Sequence, residues 1–526
     1  MRALAFLTVA FSVSHYVHSA RILGLFPHTG KSHQMVFEPL LRRLAERGHH
    51  VTTVSFFPLK NPPANYTDVS LEGIANIGVE TMDLGFYEQP RPLIGYFGVE
   101  RILKQVREFY PLADMALNVC RKLVNWPALT EALKKDYDLV LVENFNSDCM
   151  LGLVHVYGIN APTVALLSSG MMPWSPERVG VSDNPSYVAT LSTNLLDRMT
   201  FVERLENTFV QLYFKWWYRY DIQLKEQEVL EKHFGRKITD LSDLARNTSL
   251  FLLNTFFALN GVKPLLPGVV EVGGMHLDPN RKTIPPHIEK FLNESAEGVV
   301  LFSFGSLIKT ASIPKYREEI IVTALSKLKQ RVIWKYEDSG EDGTIIGNIM
   351  RVRWIPQLEL LNHRKVVAFI AHGGLLGMTE AISAGKPMLV VPFFGDQPQN
   401  AATAEAAGLA KVLNYAELTE QSLLEGLRSV LSAEMRLSAR RASKIWHDRQ
   451  TNPLDTAVYW VERVLRWGPQ SPLHSGSKHL SFHEYTLLDV AATLLAALIL
   501  VILIIHYFIF TLIPRSLSFS GKKKIH

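Results

Sequence analysis

A chain of 526 residues with a formal net charge of +5 is too long for one ordinary hydrophobic core, so two domains are expected. Its 47% hydrophobic content is ordinary for a globular protein, and the only tight basic cluster, Lys522-Lys523-Lys524, lies in a tail, which argues against a nucleic-acid partner. Cys120 and Cys149 are too few for a disulfide framework and read as two separate buried thiols rather than one bridge; metal-ligand spacing is absent, so no metal site is expected.

The first 20 residues carry Arg2, an apolar run over residues 3–13 and the small pair Ser19-Ala20, the pattern of a cleaved signal peptide. Residues 22–26 read as a buried strand, residues 35–47 as a helix stopped by Gly48, and residues 51–57 as the next strand. Between the first two, Thr29-Gly30-Lys31-Ser32 invites a phosphate-loop reading. It fails because five residues rather than four separate Gly24 from Gly30, and no aspartate suited to magnesium follows. His33 follows the first strand and opens the first helix, which directs it at an inter-domain cleft, and an imidazole suits proton abstraction near neutral pH. His28, His49 and His50 read as satisfied histidines without such a role.

Residues 138–142 and 163–167 are two further strands around a helical stretch near 149–157, an alternation that predicts a parallel sheet with helices on both faces. A base histidine needs a carboxylate to orient it and to stabilise the imidazolium. Glu143 at the strand end and Asp148 at the start of the next helix both qualify. Asp148 is preferred for its shorter, stiffer side chain, although a helix N-cap is its alternative role. Residues 170–245 are irregular and aromatic. Phe86, Tyr96, Met171 and Trp174, with Tyr87, Phe97 and Met172, are candidates to line an apolar acceptor pocket. The run Gln211–Tyr220, QLYFKWWYRY, mixes aromatics with Lys215 and Arg219, which suits either a membrane headgroup layer or helix packing.

Prolines at 264–267 and 279–286 bracket a connector, which sets the expected domains at 21–265 and 266–470. A second strand–helix alternation follows, with strands at 298–304, 331–336, 366–370 and 388–392. Within it, His372-Gly373-Gly374 breaks a buried strand. The glycines let backbone approach a ligand, and the next helix, about 376–384, points its N-terminus at an anion such as a diphosphate. Asp396-Gln397 then sits at a strand's carboxyl end, where a carboxylate beside an amide suits sugar hydroxyls.

Three blocks in order, Phe302-Ser303-Phe304-Gly305-Ser306, Trp354-Ile355-Pro356-Gln357 and Phe369–Asn400, make the chain resemble the UDP-glycosyltransferase family, which includes vertebrate UDP-glucuronosyltransferases and their insect relatives. The resemblance implies an α/β fold of GT-B type, two Rossmann-like domains facing a cleft. It also implies that the helical stretch at 433–466 returns to the first domain. It assigns the catalytic base to His33 and the donor, a UDP-sugar co-substrate used without a metal or other cofactor, to the second domain. Trp354 would stack on uracil, Gln357 would bond uracil or ribose, Ser306, His372 and the Gly374 amide would hold the diphosphate, Glu380 the ribose, and Asp396 and Gln397 the sugar. Relatives end the strand before Glu143 in an aspartate, so glutamate there departs from the pattern. Glucuronosyl members carry an arginine where this chain has Leu253, which favours UDP-glucose as donor. The expected reaction is inverting transfer of a hexose to a hydroxyl of a small lipophilic acceptor: a xenobiotic, a phenolic or flavonoid, or a steroid. Glucuronosyl transfer, glycolipid synthesis on a ceramide-like acceptor and a non-catalytic membrane binding protein are the alternatives. The pattern is compatible with a homo-oligomer.

Near the end, residues 471–486 read as a linker and residues 487–513 as a membrane-spanning helix. Arg515 and the lysines of the tail, 514–526, put that end in the cytosol and the body in the lumen, a type I arrangement. Lys523-Lys524-Ile525-His526 resembles the dilysine retrieval signal of endoplasmic reticulum membrane proteins; a plain stop-transfer cluster would use the same lysines. Sequons at Asn65, Asn247 and Asn293 agree with a lumenal body.

Overall fold

A computed structural model describes residues 19–79, 81–88, 99–277, 283–340, 343–468 and 473–512, with side chains at 99–105 and 511–512 left aside. Residues 1–18 of the expected signal peptide, the dilysine tail, Tyr96 and Phe97 lie outside the described residues. The chain divides into a body ending at Leu473 and a separate unit from His474 onward.

The body holds two seven-stranded sheets. Its strands in chain order are β1 (Arg21–Phe26), β2 (His50–Ser55), β3 (Tyr66–Ser70), β4 (Met82–Asp83), β5 (Leu139–Glu143), β6 (Thr163–Leu167), β7 (Thr248–Leu253), β8 (Val269–Glu271), β9 (Val299–Ser303), β10 (Ile308–Lys309), β11 (Arg331–Lys335), β12 (Thr344–Ile346), β13 (Ile349–Val352), β14 (Val366–Ala371), β15 (Met388–Val390) and β16 (Ala410–Val412). The first sheet runs β3-β2-β1-β5-β6-β7-β8 with every neighbouring pair parallel. The second runs β12-β13-β11-β9-β14-β15-β16, parallel except at the edge pair β12–β13. The central strands are apolar and buried throughout, as a sheet covered on both faces requires; Leu139, Val140, Leu141 and Val142 are all buried. This is the GT-B arrangement of two Rossmann-like domains, and both sheets turn their strand ends toward the cleft where the chain order reverses.

Three features depart from the expected layout. β8 pairs with β7, so the first domain extends past 265 through the first proline group. The strand pair β4–β10 and the Arg317–Glu88 ion pair tie the segment after β3 to the second domain. Cys120 and Cys149 are joined in a disulfide instead of remaining separate thiols. The helix Val99–Leu123 brings Cys120 beside Cys149, the first residue of the helix Cys149–Val156. The helix Pro453–Trp467 does return to the first domain: it contributes Ala457, Val458, Val461 and Val464 to the core of the first sheet, beside Leu40, Leu44 and Leu252.

In the second unit the helix Leu488–Tyr507 continues as a π-turn over Phe508–Leu512. Its 23 residues from Leu488 to Phe510 are apolar and uncovered. At ~1.5 Å per residue they are long enough to cross the hydrocarbon core of a bilayer.

Candidate active site

His33 lies in the short helix Lys31–Met35, which opens directly after β1. Its Nδ1–H donates to Glu143 Oε1 at 2.5 Å, and Ser168 Oγ lies 3.0 Å from the same nitrogen. Glu143 is the last residue of β5 and is 2% exposed, so its carboxylate is held by the strand while the ring remains 18% exposed. That contact fixes the tautomer and leaves Nε2 for a substrate. The His28 ring stacks on His33 with centroids 3.9 Å apart, and the Phe145 ring meets His33 edge-on at 4.6 Å. Burial first, then the charge of His33, push the His28 pKa well below the ordinary imidazole value. The Gly30 amide donates to His28 Nδ1, as a neutral ring requires. His28, His33 and Glu143 offer ligand atoms within 4.8 Å of one another; both Nδ1 atoms and Glu143 Oε1 are engaged in these bonds, and Glu143 Oε2 is buried without a partner.

The preferred sequence candidate for the orienting carboxylate, Asp148, is elsewhere. It is 1% exposed, accepts two bonds from Arg178 at 2.8 Å each, and accepts further bonds from Tyr218 and Gln223. Asp148 is thus the hub of a buried ion pair, and its helix receives no side-chain cap from it. A five-residue offset from the strand end carries its side chain away from the cleft. Ser168, one residue past β6, is a site residue that the sequence analysis missed; its position at the end of the adjacent parallel strand is the signal that would have found it.

On the second domain, His372 follows β14 and its ring is wedged between two glycines. A Cβ at Gly374 would lie 2.3 Å from His372 Nε2, and a Cβ at Gly305, whose φ is +77°, would lie 2.8 Å from Cε1. Burial, then the charge of Lys335, lowers the His372 pKa to about 4, so the ring is neutral. Its Nδ1 is buried without a partner, beside the helix Leu375–Ser383, whose N-cap is Gly374. Ser306 sits in the turn after Gly305. Gln357 Nε2 donates to Glu380 Oε2 at 2.7 Å, and burial raises the Glu380 carboxyl to about 7 against that bond.

Trp354 is 56% exposed. The Lys335 and Lys31 ammonium groups stand 5.6 and 5.8 Å from its ring centre, and Lys31 comes from the other domain. Asp396 accepts from Asn400 at 2.9 Å, and Asn400 also donates to the Gly373 carbonyl. Burial raises the Asp396 carboxyl, while the Asn400 bond and the charge of His33 pull the other way. Gln397 spends its carbonyl oxygen on the Phe393 and Phe394 amides, which leaves its amide N–H groups as donors.

The acceptor candidates separate. Met171 and Met172 line a mostly apolar cavity that also touches Leu253, Lys263, Asn400 and Thr403. Trp174 is core: it is 2% exposed, stacks on Tyr218 at 4.3 Å and donates to the Phe145 carbonyl at 2.9 Å. Phe86 is 54% exposed and packs on Tyr87 beside the second domain's Phe393, away from that cavity. Asn65, Asn247 and Asn293 stand at the start of a strand, at a helix end and at a helix end respectively.

The family described as UDP-glucoronosyl and UDP-glucosyl transferase matches residues 22–523. UDP-glucosyltransferase 2 of Dactylopius coccus is 32% identical over 525 residues, 99% of this chain and 98% of the relative. UDP-glucuronosyltransferase 2B1 of Rattus norvegicus is 31% identical over 516 residues, 94% of each. The crystal structure of the glycotransferase of kitacinnamycin superposes with a TM-score of 0.53 at 19% identity, covering 85% of this chain and 99% of that one. The chain therefore belongs to the UDP-glucuronosyl and UDP-glucosyl transferase family and is a UDP-glycosyltransferase.

Proposed function

We propose that the enzyme transfers glucose from UDP-glucose to a hydroxyl of a small lipophilic acceptor, with inversion at the anomeric carbon. The observation that carries the reading is the His33–Glu143 pair of the first domain, on the helix whose Lys31 reaches Trp354 of the second. His33 Nε2 takes the acceptor proton, the oxygen attacks the anomeric carbon, and the bond from that carbon to the UDP oxygen breaks, giving a β-glycoside. Glu143 stabilises the imidazolium. The departing diphosphate gathers negative charge at the Gly374 helix terminus and the unpartnered His372 N–H, and this reading requires no metal. Trp354 stacks on uracil, Gln357 and Glu380 take the nucleoside, and Asp396 with the Gln397 amide takes the sugar. The Met171 cavity is the acceptor side of the cleft.

Glucuronosyl transfer is the second reading, and Lys263 favours it. This lysine lines the same cavity as Leu253 and Asn400, and burial lowers its pKa against the pull of Asp197, so a carboxylate would be a welcome neighbour. The three sequons, the Cys120–Cys149 disulfide and the apolar span support a lumenal body on an endoplasmic reticulum membrane anchor.

The test uses microsomes carrying the full chain, with UDP-glucose and UDP-glucuronate offered separately against phenols, flavonoids and steroids. Hexose transfer to β-product that vanishes in His33→Ala supports the reading. Transfer from UDP-glucuronate alone, lost in Lys263→Met, replaces it with the second. Product surviving in His33→Ala refutes the base, and transfer only to a membrane lipid refutes the small acceptor.

A further inference from the structure

The helix Phe201–Trp217 runs through a π-turn, Tyr218–Gln223, into the helix Leu224–Phe234. From Phe201 to Leu224 every exposed residue is apolar or aromatic. Leu205, Phe209, Leu212, Trp216 and Tyr220 recur every three or four residues, so they form one row, each between 43% and 60% exposed. At ~1.5 Å per residue the exposed face from Phe201 to Leu224 is roughly 35 Å long.

The opposite face is already satisfied. Val210, Phe214 and Trp217 belong to a core with Phe109 and Trp174. Two polar residues of this helix are buried on the inner face: Asn207 holds the Thr190 amide and the Pro185 and Val188 carbonyls, and Gln211 holds the Asp183 carbonyl. The usual pattern of a surface helix is therefore inverted, which costs stability in water unless something covers the row.

The geometry points to a bilayer surface as the cover: the row lies in the interfacial layer of the membrane that the chain's own span crosses, a second and non-spanning membrane contact. Two observations select lipid over a protein partner. First, only 14 residues, 474–487, separate the end of the body from the span at Leu488; fully extended they reach ~50 Å, so the body is held at high effective concentration beside a bilayer. Second, the row carries Trp216 and Tyr220, amphipathic rings suited to the headgroup level. Lys215 and Arg219 beside the row are already paired, with Asp183 and Asp240, which leaves Arg204, bonded to the Met199 carbonyl, as the helix's one basic residue without an ion pair. Insertion is thus carried by the apolar row, does not depend on anionic lipid and persists in high salt.

The disulfide leaves no free native cysteine, so an introduced one is a unique label site. Leu212→Cys, Trp216→Cys and, as control, Leu437→Cys, which is 65% exposed on the helix Ala433–His447, are labelled with an environment-sensitive dye. The full chain is reconstituted in phosphatidylcholine vesicles, and protease resistance of the body confirms folding. Lipid-borne nitroxide should quench the dye at 212 and 216 but not at 437, with iodide showing the reverse, unchanged in high salt. Iodide quenching at 212 and 216 equal to that at 437 overturns the proposal. Shielding from both quenchers, with disulfide cross-linking between two unlabelled copies of the Leu212→Cys chain, overturns it in favour of a second copy. Shielding from both without cross-linking assigns the cover to another part of this chain and overturns it too.

Discussion

Glu143 and His33, 110 residues apart in sequence, meet at 2.5 Å because β1 and β5 are neighbours in one parallel sheet and end at the same cleft. The register places Leu25 opposite Val142, so the residues just past each strand converge. Glu143→Gln should keep the ring in place but remove the charge that stabilises the imidazolium. The expected loss is about 10²–10⁴-fold in kcat with little change in thermal stability. Asp148→Asn should do the opposite. Breaking its pair with Arg178 costs about 3–5 kcal/mol of stability, while any folded fraction retains its kcat. Measuring kcat and Tm of both variants separates the two carboxylates, and a catalytic loss confined to Asp148→Asn would reverse the assignment.

Gly374 is excluded from having a side chain by His372, not by its backbone, since its φ of −65° is ordinary. Gly374→Ala must displace the His372 ring, and if that ring serves the proposed diphosphate site about 10²-fold of kcat/KM for the UDP-sugar should be lost. Gly340→Ala, which meets nothing within 4 Å, is the silent comparison. Equal kinetics for the two alanine variants would remove His372 from the site.

Trp354 is half in solvent, with Lys31 of the first domain over its ring. Trp354→Ala should raise KM for the UDP-sugar about 5- to 100-fold through lost base stacking, with kcat and acceptor KM little changed. Isothermal titration with UDP alone reads the same loss without turnover.

Glu226 is fully buried, 79 residues from Ser147, and accepts from the Ser147 hydroxyl and the Asp148 amide. Burial raises its pKa from 4.5 to about 8, against those bonds. Between these two values the folded protein holds a proton that the unfolded chain has released, so stability from this group falls as pH rises through that window. Glu226→Gln mimics the protonated form. Its stability relative to the unsubstituted protein should be near equal at about pH 4.5 and increasingly favourable up to about pH 8. Denaturant midpoints across that range measure it, and a difference that does not change with pH would place the ionised form in the core.

Much of this is legible in the sequence because it is local. Strand β1, the His372-Gly373-Gly374 break and the Asp396-Gln397 step each follow from apolar runs ended by glycine or by a strand end. The missed elements depend on partners far along the chain. Nothing near Asp148 announces that Arg178 will claim it, and nothing near Cys120 points to Cys149. Trp174 reads as a pocket residue because an aromatic beside methionines has the same pattern whether it faces a ligand or Tyr218. The bond from the Gln397 carbonyl to the Phe393 and Phe394 amides, which leaves only its N–H groups for a ligand, is a short-range detail that composition does not reveal.

The helix Pro453–Trp467 completes the hydrophobic core of a domain whose first strand begins at Arg21. During synthesis the first sheet, complete only at Glu271, must wait with Leu40, Leu44 and Leu252 uncovered for about 180 further residues before the helix at Pro453 is made. The second domain, made of consecutive strands and helices, has no such delay. The nascent chain thus carries an exposed greasy face for about a third of its translation, and its yield should depend on chaperones that hold that face rather than on the intrinsic folding rate of either sheet.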